Sequence, residues 1–165
     1  MRIASILAAG IIAIAASSSA LAQGADQKFI KEAIEGNLAE VQMGQLAQQQ
    51  GATQSVKDFG QMLVTDHSQA NTKANDVANS LKVTPPTEPN AKQKKEYDKM
   101  SKLNGAAFDK AFAAHMVADH KKDIAAYKKE SSSKNTTVAA YASETLPMLY
   151  RDLQEAQAIA ARLGA

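Results

Sequence analysis

The chain has 165 residues, a formal net charge of +2 and no cysteine. That length fits one domain, and the near-neutral charge argues against nucleic acid as a partner, since nucleic-acid-binding surfaces are usually strongly basic. The lack of cysteine excludes disulfides, thiolate metal sites and cysteine nucleophiles. With no tryptophan, few other aromatic residues and abundant alanine, the composition favours closely packed helices.

Residues 1–22 have the pattern of a secretory signal. Arg2 precedes an almost wholly apolar run, and Ala20-Leu21-Ala22 supplies the small residues that signal peptidase requires. We therefore predict cleavage after Ala22 and a single mature domain, residues 23–165, with a formal charge of +1 because Arg2 is removed. The apolar run is too short for a good membrane span, so no stable span is expected after cleavage. The mature chain is expected in the periplasm, with outer-membrane association as an alternative.

Four segments have the apolar period of amphipathic helices, and none has the alternation of a strand. They cover about residues 26–50, 53–82, 106–130 and 136–163. Gly51 is expected to end the first, Thr53 or Ser55 to cap the second and Asn135 or Thr136 to cap the fourth. Pro147 should kink the fourth segment.

The connector between the second and third segments, residues 83–104, contains Pro85, Pro86 and Pro89 and cannot be one helix. Its residues 92–103 nevertheless predict a short helix. Short turns elsewhere and one long central connector predict an all-α fold, an antiparallel four-helix bundle of the ferritin-like kind.

Ionisable residues fall on the apolar sides of these helices, where charge is normally costly unless it is paired or bound to a metal. The stretch Val64-Thr65-Asp66-His67 is echoed by Val117-Ala118-Asp119-His120. The inward set from three helices comprises Glu40, His67, Asp109, His120 and Asp123.

Imidazole and carboxylate are ligands for iron, manganese, zinc or copper, so this set predicts a possible transition-metal site. The alternative is structural: each histidine is satisfied by a facing carboxylate, and Asp109 interacts with the start of its own helix. The Glu-x-x-His motif of di-iron bundles is absent from the sequence.

The chain resembles a widespread family of exported bacterial proteins of unknown function. These are often labelled predicted outer membrane proteins and assigned a ferritin-like fold. The resemblance is carried by residues 40–47, Phe59 with residues 62–67, residues 105–109, His120 and Leu146-Pro147. It implies a further histidine shortly after Leu-Pro, where this chain has Tyr150. Because tyrosine can ligate ferric iron, Tyr150 joins the candidate metal ligands.

Three functions are consistent with these features. The first is a non-enzymatic envelope or stress-related protein whose inward polar residues specify the bundle. The second is a metal-binding or redox protein that uses Glu40, His67 and His120, with Asp109, Asp123 or Tyr150 completing the ligand set. The third is a helical module that pairs with an envelope partner or with itself. The sequence lacks phosphate-binding loops, Gly-x-Ser-x-Gly and His-Glu-x-x-His, so enzymatic activity is not expected.

Overall fold

The structure is a computed structural model that describes the backbone of residues 9–165 and the side chains of residues 23–165. Residues 9–165 form five helices: α1 Ala9–Gln50, α2 Gln54–Ser80, α3 Ala91–Met100, α4 Gly105–Glu130 and α5 Thr136–Leu163. The prediction of an all-α fold with four long helices and one short helix in the connector is confirmed. The side chains of the predicted signal, residues 1–22, lie outside the described part.

The helix ends follow from local chemistry. Gly51 follows the last residue of α1 as predicted, and the Asn135 side chain caps α5 by accepting hydrogen bonds from two backbone N–H groups. The start of α1 differs from the prediction, since this helix begins at Ala9 and runs through the expected cleavage position. Apolar and small residues there have adequate helix propensity. Helix α5 also continues through Pro147 without interruption.

The four long helices form a ring in which α1 pairs with α2 and α4 pairs with α5, each pair antiparallel. Helix α2 also packs on α5 and α1 on α4, which closes the ring. The first halves of α2 and α4 contribute to the same apolar cluster, so these two helices run in the same direction. The long connector therefore returns the chain along the bundle, and α3 lies against α1 and α4.

Helices α1 and α2 approach most closely at two glycines. A Cβ atom added to Gly44 would lie 2.5 Å from the Gly60 carbonyl oxygen, and one added to Gly60 would lie 2.6 Å from the Gly44 carbonyl oxygen. Only a residue without a side chain allows this backbone contact. The contact between Gly44 and Gly60 therefore fixes the spacing of α1 and α2 about one helical turn from Glu40.

The core consists of two apolar clusters with a polar layer between them. One cluster lies around Phe29, Ile34, Val77, Ile124 and Tyr141, and the other around Met43, Phe59, Phe112, Met116 and Ile159. The residues between the clusters on α1, α2, α4 and α5 are buried and polar: Asn37, Glu40, His67, His120 and Asp152. We call these five residues the central polar layer.

Within the described residues, no helix combines the length and apolar character that crossing a membrane requires.

Candidate metal centre

Each of the four long helices contributes one potential ligand to the middle of the bundle. Glu40 comes from α1, His67 from α2, His120 from α4 and Asp152 from α5, and none is more than 2% exposed. On each helix the residue replaces a member of the apolar stripe. The fold therefore brings these four side chains together at one point of the core.

The donor atoms lie close together. One donor atom each from Glu40, His67 and His120 can be chosen so that all three lie within 4.8 Å of one another. Asp152 Oδ2 lies 3.8 Å from His67 Nε2 and 3.9 Å from His120 Nε2. The two imidazole rings have centroids 5.8 Å apart and are nearly perpendicular, in an edge-to-face arrangement.

Hydrogen bonds at the outer nitrogens fix the tautomers of both histidines. His67 Nδ1–H donates to Asn37 Oδ1 at 3.0 Å, since the Asn37 amide nitrogen donates to the Tyr141 hydroxyl. His120 Nδ1–H donates to the Met116 carbonyl oxygen, also at 3.0 Å. In each neutral ring Nε2 is then the atom with a free lone pair. Orientation of a ligand imidazole through its other nitrogen is typical of metal sites.

The inner polar atoms of the group have no hydrogen-bond partner among residues 23–165. These atoms are Glu40 Oε2, His67 Nε2, His120 Nε2 and Asp152 Oδ2. At 3.8–3.9 Å, the contacts of Asp152 with the two imidazoles are too long for hydrogen bonds. Buried polar atoms are almost always satisfied, so four such atoms from four helices, close to one another, indicate a site for one shared partner.

Burial sets the charge states of the histidines. It lowers the pKa of His67 to about 3, with the His120 and Arg151 charges acting in the same direction. Burial also lowers the pKa of His120, although the hydrogen bond to Met116 opposes it. Both imidazoles are therefore neutral at pH 7. Their contacts with Asp152 are not ion pairs, and both rings are in the form that binds metal.

Burial has the opposite effect on the two carboxyl groups. It raises the pKa of Asp152 to about 7 against the opposing effect of Arg151. It raises the pKa of Glu40 well above its usual value, and the nearby Asp119 and Asp123 raise it further. Carboxylates that are costly to ionise in the protein alone would be stabilised by a cation between them.

A second set of contacts orients Asp152. Arg151 donates from Nε and Nη2 to Asp152 Oδ1, at 3.3 Å in both cases. The same guanidinium also contacts Asp66 of α2. Because Arg151 engages only Oδ1, Asp152 Oδ2 is left facing the histidines. Asp66 thus acts through Arg151 and is not itself a member of the donor group.

The structure places the other predicted site residues elsewhere. Asp109 is fully buried, but its two oxygens accept hydrogen bonds from the backbone N–H groups of Ala52 and Thr53, at 2.8 and 2.9 Å. Asp109 therefore has a structural role, but it supports the α1–α2 turn across the bundle and not the start of its own helix. Thr53 is the residue before α2, and its side chain makes no capping hydrogen bond.

Asp123 and Tyr150 also lie outside the donor group. Asp123 is half-buried on the wall of a cavity and pairs with Lys122. Tyr150 is 42% exposed, and Lys128 Nζ lies 5.4 Å from its ring centroid. The fourth side chain at the centre is thus Asp152, two residues further along α5. The sequence signal for Asp152 is its inward position on the apolar stripe of the fourth segment. The kink expected at Pro147 left the direction of that side chain undetermined.

Fold and site together define a helical-bundle protein with a buried histidine and carboxylate group that could hold a metal ion. The chain belongs to the family described as Domain of unknown function (DUF4142), whose model matches residues 13–159. No curated protein and no solved structure matches the chain. The family description names no activity.

Proposed function

We propose that this protein is an exported metal-binding bundle that holds one transition-metal ion in the central polar layer. His67 and His120 bind through Nε2, and Glu40 and Asp152 bind through carboxylate oxygens. The arrangement of two parallel helices joined by one long crossover supports a ferritin-like topology. Of the three functions consistent with the sequence, this one accounts best for the centre of the bundle.

The observation that carries the proposal is the set of four unsatisfied inner atoms from four different helices. If the polar layer served packing alone, each histidine should donate to or accept from a facing carboxylate. Instead, the imidazole–carboxylate contacts of 3.8 and 3.9 Å exceed hydrogen-bond length. Leaving such atoms buried and unpaired costs about 1–3 kcal/mol for each group. A bound cation would satisfy all of them at once.

The donor spacing is compatible with a first-row metal ion. Ligand atoms about 2.0–2.1 Å from a tetrahedral ion are separated by about 3.3 Å. The separations of 3.8 and 3.9 Å between Asp152 and the two imidazoles therefore require these three donors to move inward by only a few tenths of an ångström. A Glu40 carboxylate oxygen lies within 4.8 Å of a nitrogen of each histidine. Two imidazole nitrogens with two carboxylates suit zinc, iron, manganese or copper.

The proposed location rests on the sequence. The pattern of Arg2, the apolar run and Ala20-Leu21-Ala22 supports export and cleavage after Ala22. The proposed mature protein would bind its metal in the periplasm. No chemical reaction is assigned to the centre. The proposed role of the protein is to bind, store or transfer the metal ion.

Titration of metal-free protein with Co²⁺ tests the proposal. A histidine–carboxylate site should give ligand-field absorption that saturates at about one equivalent, and Zn²⁺ should displace it. The conservative variants Asp152→Asn and Glu40→Gln should weaken the Co²⁺ complex strongly. Asp109→Asn is the matched control, since it also replaces a buried carboxylate but lies outside the group.

A second readout is thermal protection. An ion present at 100 times its Kd adds about 2.7 kcal/mol to the free energy of unfolding, which for a chain of this size raises Tm by about 5–10 °C. The wild type and Asp109→Asn should both gain this increment with Zn²⁺, and Asp152→Asn should gain little. Equal gains in all three proteins would overturn the proposal.

A further inference from the structure

A cavity of about 490 Å³ connects the central polar layer with the surface between α1, α3 and α4. Glu40 and His67 line its inner part, and α3 residues such as Gln93 and Glu96 line its outer part. The cavity thus reaches two of the four proposed ligands. An ion that enters through it meets the side chains on its walls first.

Those walls carry more acid than base. Five carboxyl side chains and two lysines line the cavity: Glu32, Glu40, Glu96, Asp119, Asp123, Lys92 and Lys122. A cleft lined mainly by one sign of charge attracts ions of the opposite sign and raises their rate of association. The charge distribution therefore favours entry of a cation.

Asp119 and Asp123 stand one helical turn apart on α4, so both face the same side. Their side chains are only 26% and 23% exposed. Lys122 Nζ lies 3.5 Å from Asp119 Oδ1 and 3.4 Å from Asp123 Oδ1. The lysine side chain itself is 68% exposed, so its ammonium group can leave the two acids without moving the helix.

Glu40 joins this outer pair of acids to the proposed metal centre. It lines the same cavity as Asp119 and Asp123. Its Oε2 atom is buried and has no partner within residues 23–165. Glu40 is thus an unsatisfied buried ligand between the acids of α4 and the histidines.

We propose that Asp119 and Asp123 form an entry site for a divalent cation, with Lys122 as the counter-ion that the cation displaces. The ion binds first to these two carboxylates and then passes by way of Glu40 to His67 and His120. Lys122 keeps its proton and turns toward solvent as the cation takes its place. This proposal rests on the proposed function, because an entry site has meaning only if the centre binds metal.

The test is the rate of Co²⁺ binding to the purified metal-free full chain, followed by stopped-flow absorption. The double variant Asp119→Asn/Asp123→Asn should bind about tenfold more slowly, in the range that electrostatic steering supplies, and should still bind one equivalent. Lys122→Gln should bind several-fold faster, since the acids lose their competing partner. The differences should shrink as ionic strength rises.

Matched controls make the same charge changes away from the cavity. Lys121→Gln alters the neighbouring exposed lysine, and Asp76→Asn alters an exposed acid of α2; both should retain the wild-type rate. Because Lys122 is a surface residue, its variant keeps the test valid even if the double variant does not fold.

The outcomes separate the two proposals. Wild-type protein that binds no Co²⁺ overturns both the function and the entry site. Wild type that binds one equivalent, with unchanged rates in both cavity variants, overturns the entry site alone. Loss of the bound equivalent in Asp119→Asn/Asp123→Asn would make these acids ligands of the centre, which also overturns their assignment as an entry site.

Discussion

Replacement of Asp152 by asparagine should stabilise the metal-free protein above neutral pH. The carboxyl group is fully buried, and burial raises its pKa from 3.8 to about 7. Asparagine has nearly the same shape, and its carbonyl oxygen can still accept the hydrogen bonds from Arg151. The variant therefore removes the buried charge and keeps the packing.

The magnitude follows from the two pKa values. A folded-state pKa above the unfolded value means that the folded protein binds more protons, so the free energy of unfolding falls as pH rises between the two values. The fall is absent below about pH 4 and is complete above pH 7. The difference between 3.8 and about 7 corresponds to about 4 kcal/mol. Asp152→Asn should recover most of it at pH 8.

The assay is denaturant unfolding in the presence of a chelator at pH 5 and pH 8. The free energy of unfolding of Asp152→Asn should exceed that of the wild type by about 4 kcal/mol at pH 8, and by about 2 kcal/mol at pH 5. The low pKa of His67, about 3, makes both proteins gain stability between pH 3 and 6.5, and this gain cancels in the comparison.

The two accounts of the polar layer predict opposite signs. A ligand group held ready for a cation costs stability in the absence of that cation, as functional sites often do. A polar network that serves packing would lose stability when one member is altered. Metal-free Asp152→Asn that is less stable than the wild type at pH 8 would therefore refute the reasoning.

Three further predictions concern other parts of the molecule. Gly44→Ala should lower the free energy of unfolding by about 1–3 kcal/mol, because the added Cβ would overlap the Gly60 carbonyl oxygen. Gly36→Ala should raise the free energy of unfolding by up to about 1 kcal/mol, because a Cβ at that position meets open space. Urea unfolding measures both changes. Asp109→Asn should cost about 1–3 kcal/mol by leaving one turn N–H unpaired, without changing the metal stoichiometry found by elemental analysis. Metal affinity should rise from pH 6 to 8, about tenfold per pH unit for each proton displaced from the acidic ligands; calorimetric titration that shows constant affinity would contradict the assigned ligands.

The helices could be predicted from the sequence because their apolar stripes are long and regular. Glu40 and His67 interrupt those stripes, and such interruptions mark the central layer without any knowledge of the fold. Asn135 and Gly51 likewise act at helix ends as their residue types predict. These features depend on contacts within one helix or on its burial pattern, which the sequence contains directly.

The identity of the fourth proposed ligand, Asp152, could not be predicted in the same way. It depends on how α5 rotates beyond Pro147, and a kink of unknown size shifts every later side chain around the helix. The resemblance pointed to Tyr150, whereas the uninterrupted α5 turns Asp152 inward and Tyr150 outward. The role of Asp109 depends on hydrogen bonds from Ala52 and Thr53, which lie 57 and 56 positions earlier in the chain. The helical period alone does not reveal such distant contacts.

The metal content of the purified protein tests the central claim most directly. Protein purified from its proposed location, the periplasm, without chelator and without a histidine tag would be measured by elemental analysis, alongside His120→Ala and Asp109→Asn. We predict about one equivalent of zinc, iron, manganese or copper in the wild type and in Asp109→Asn, and none in His120→Ala. Wild-type protein that carries no metal and binds none when it is supplied would contradict the account, and the central polar layer would then be a feature of packing.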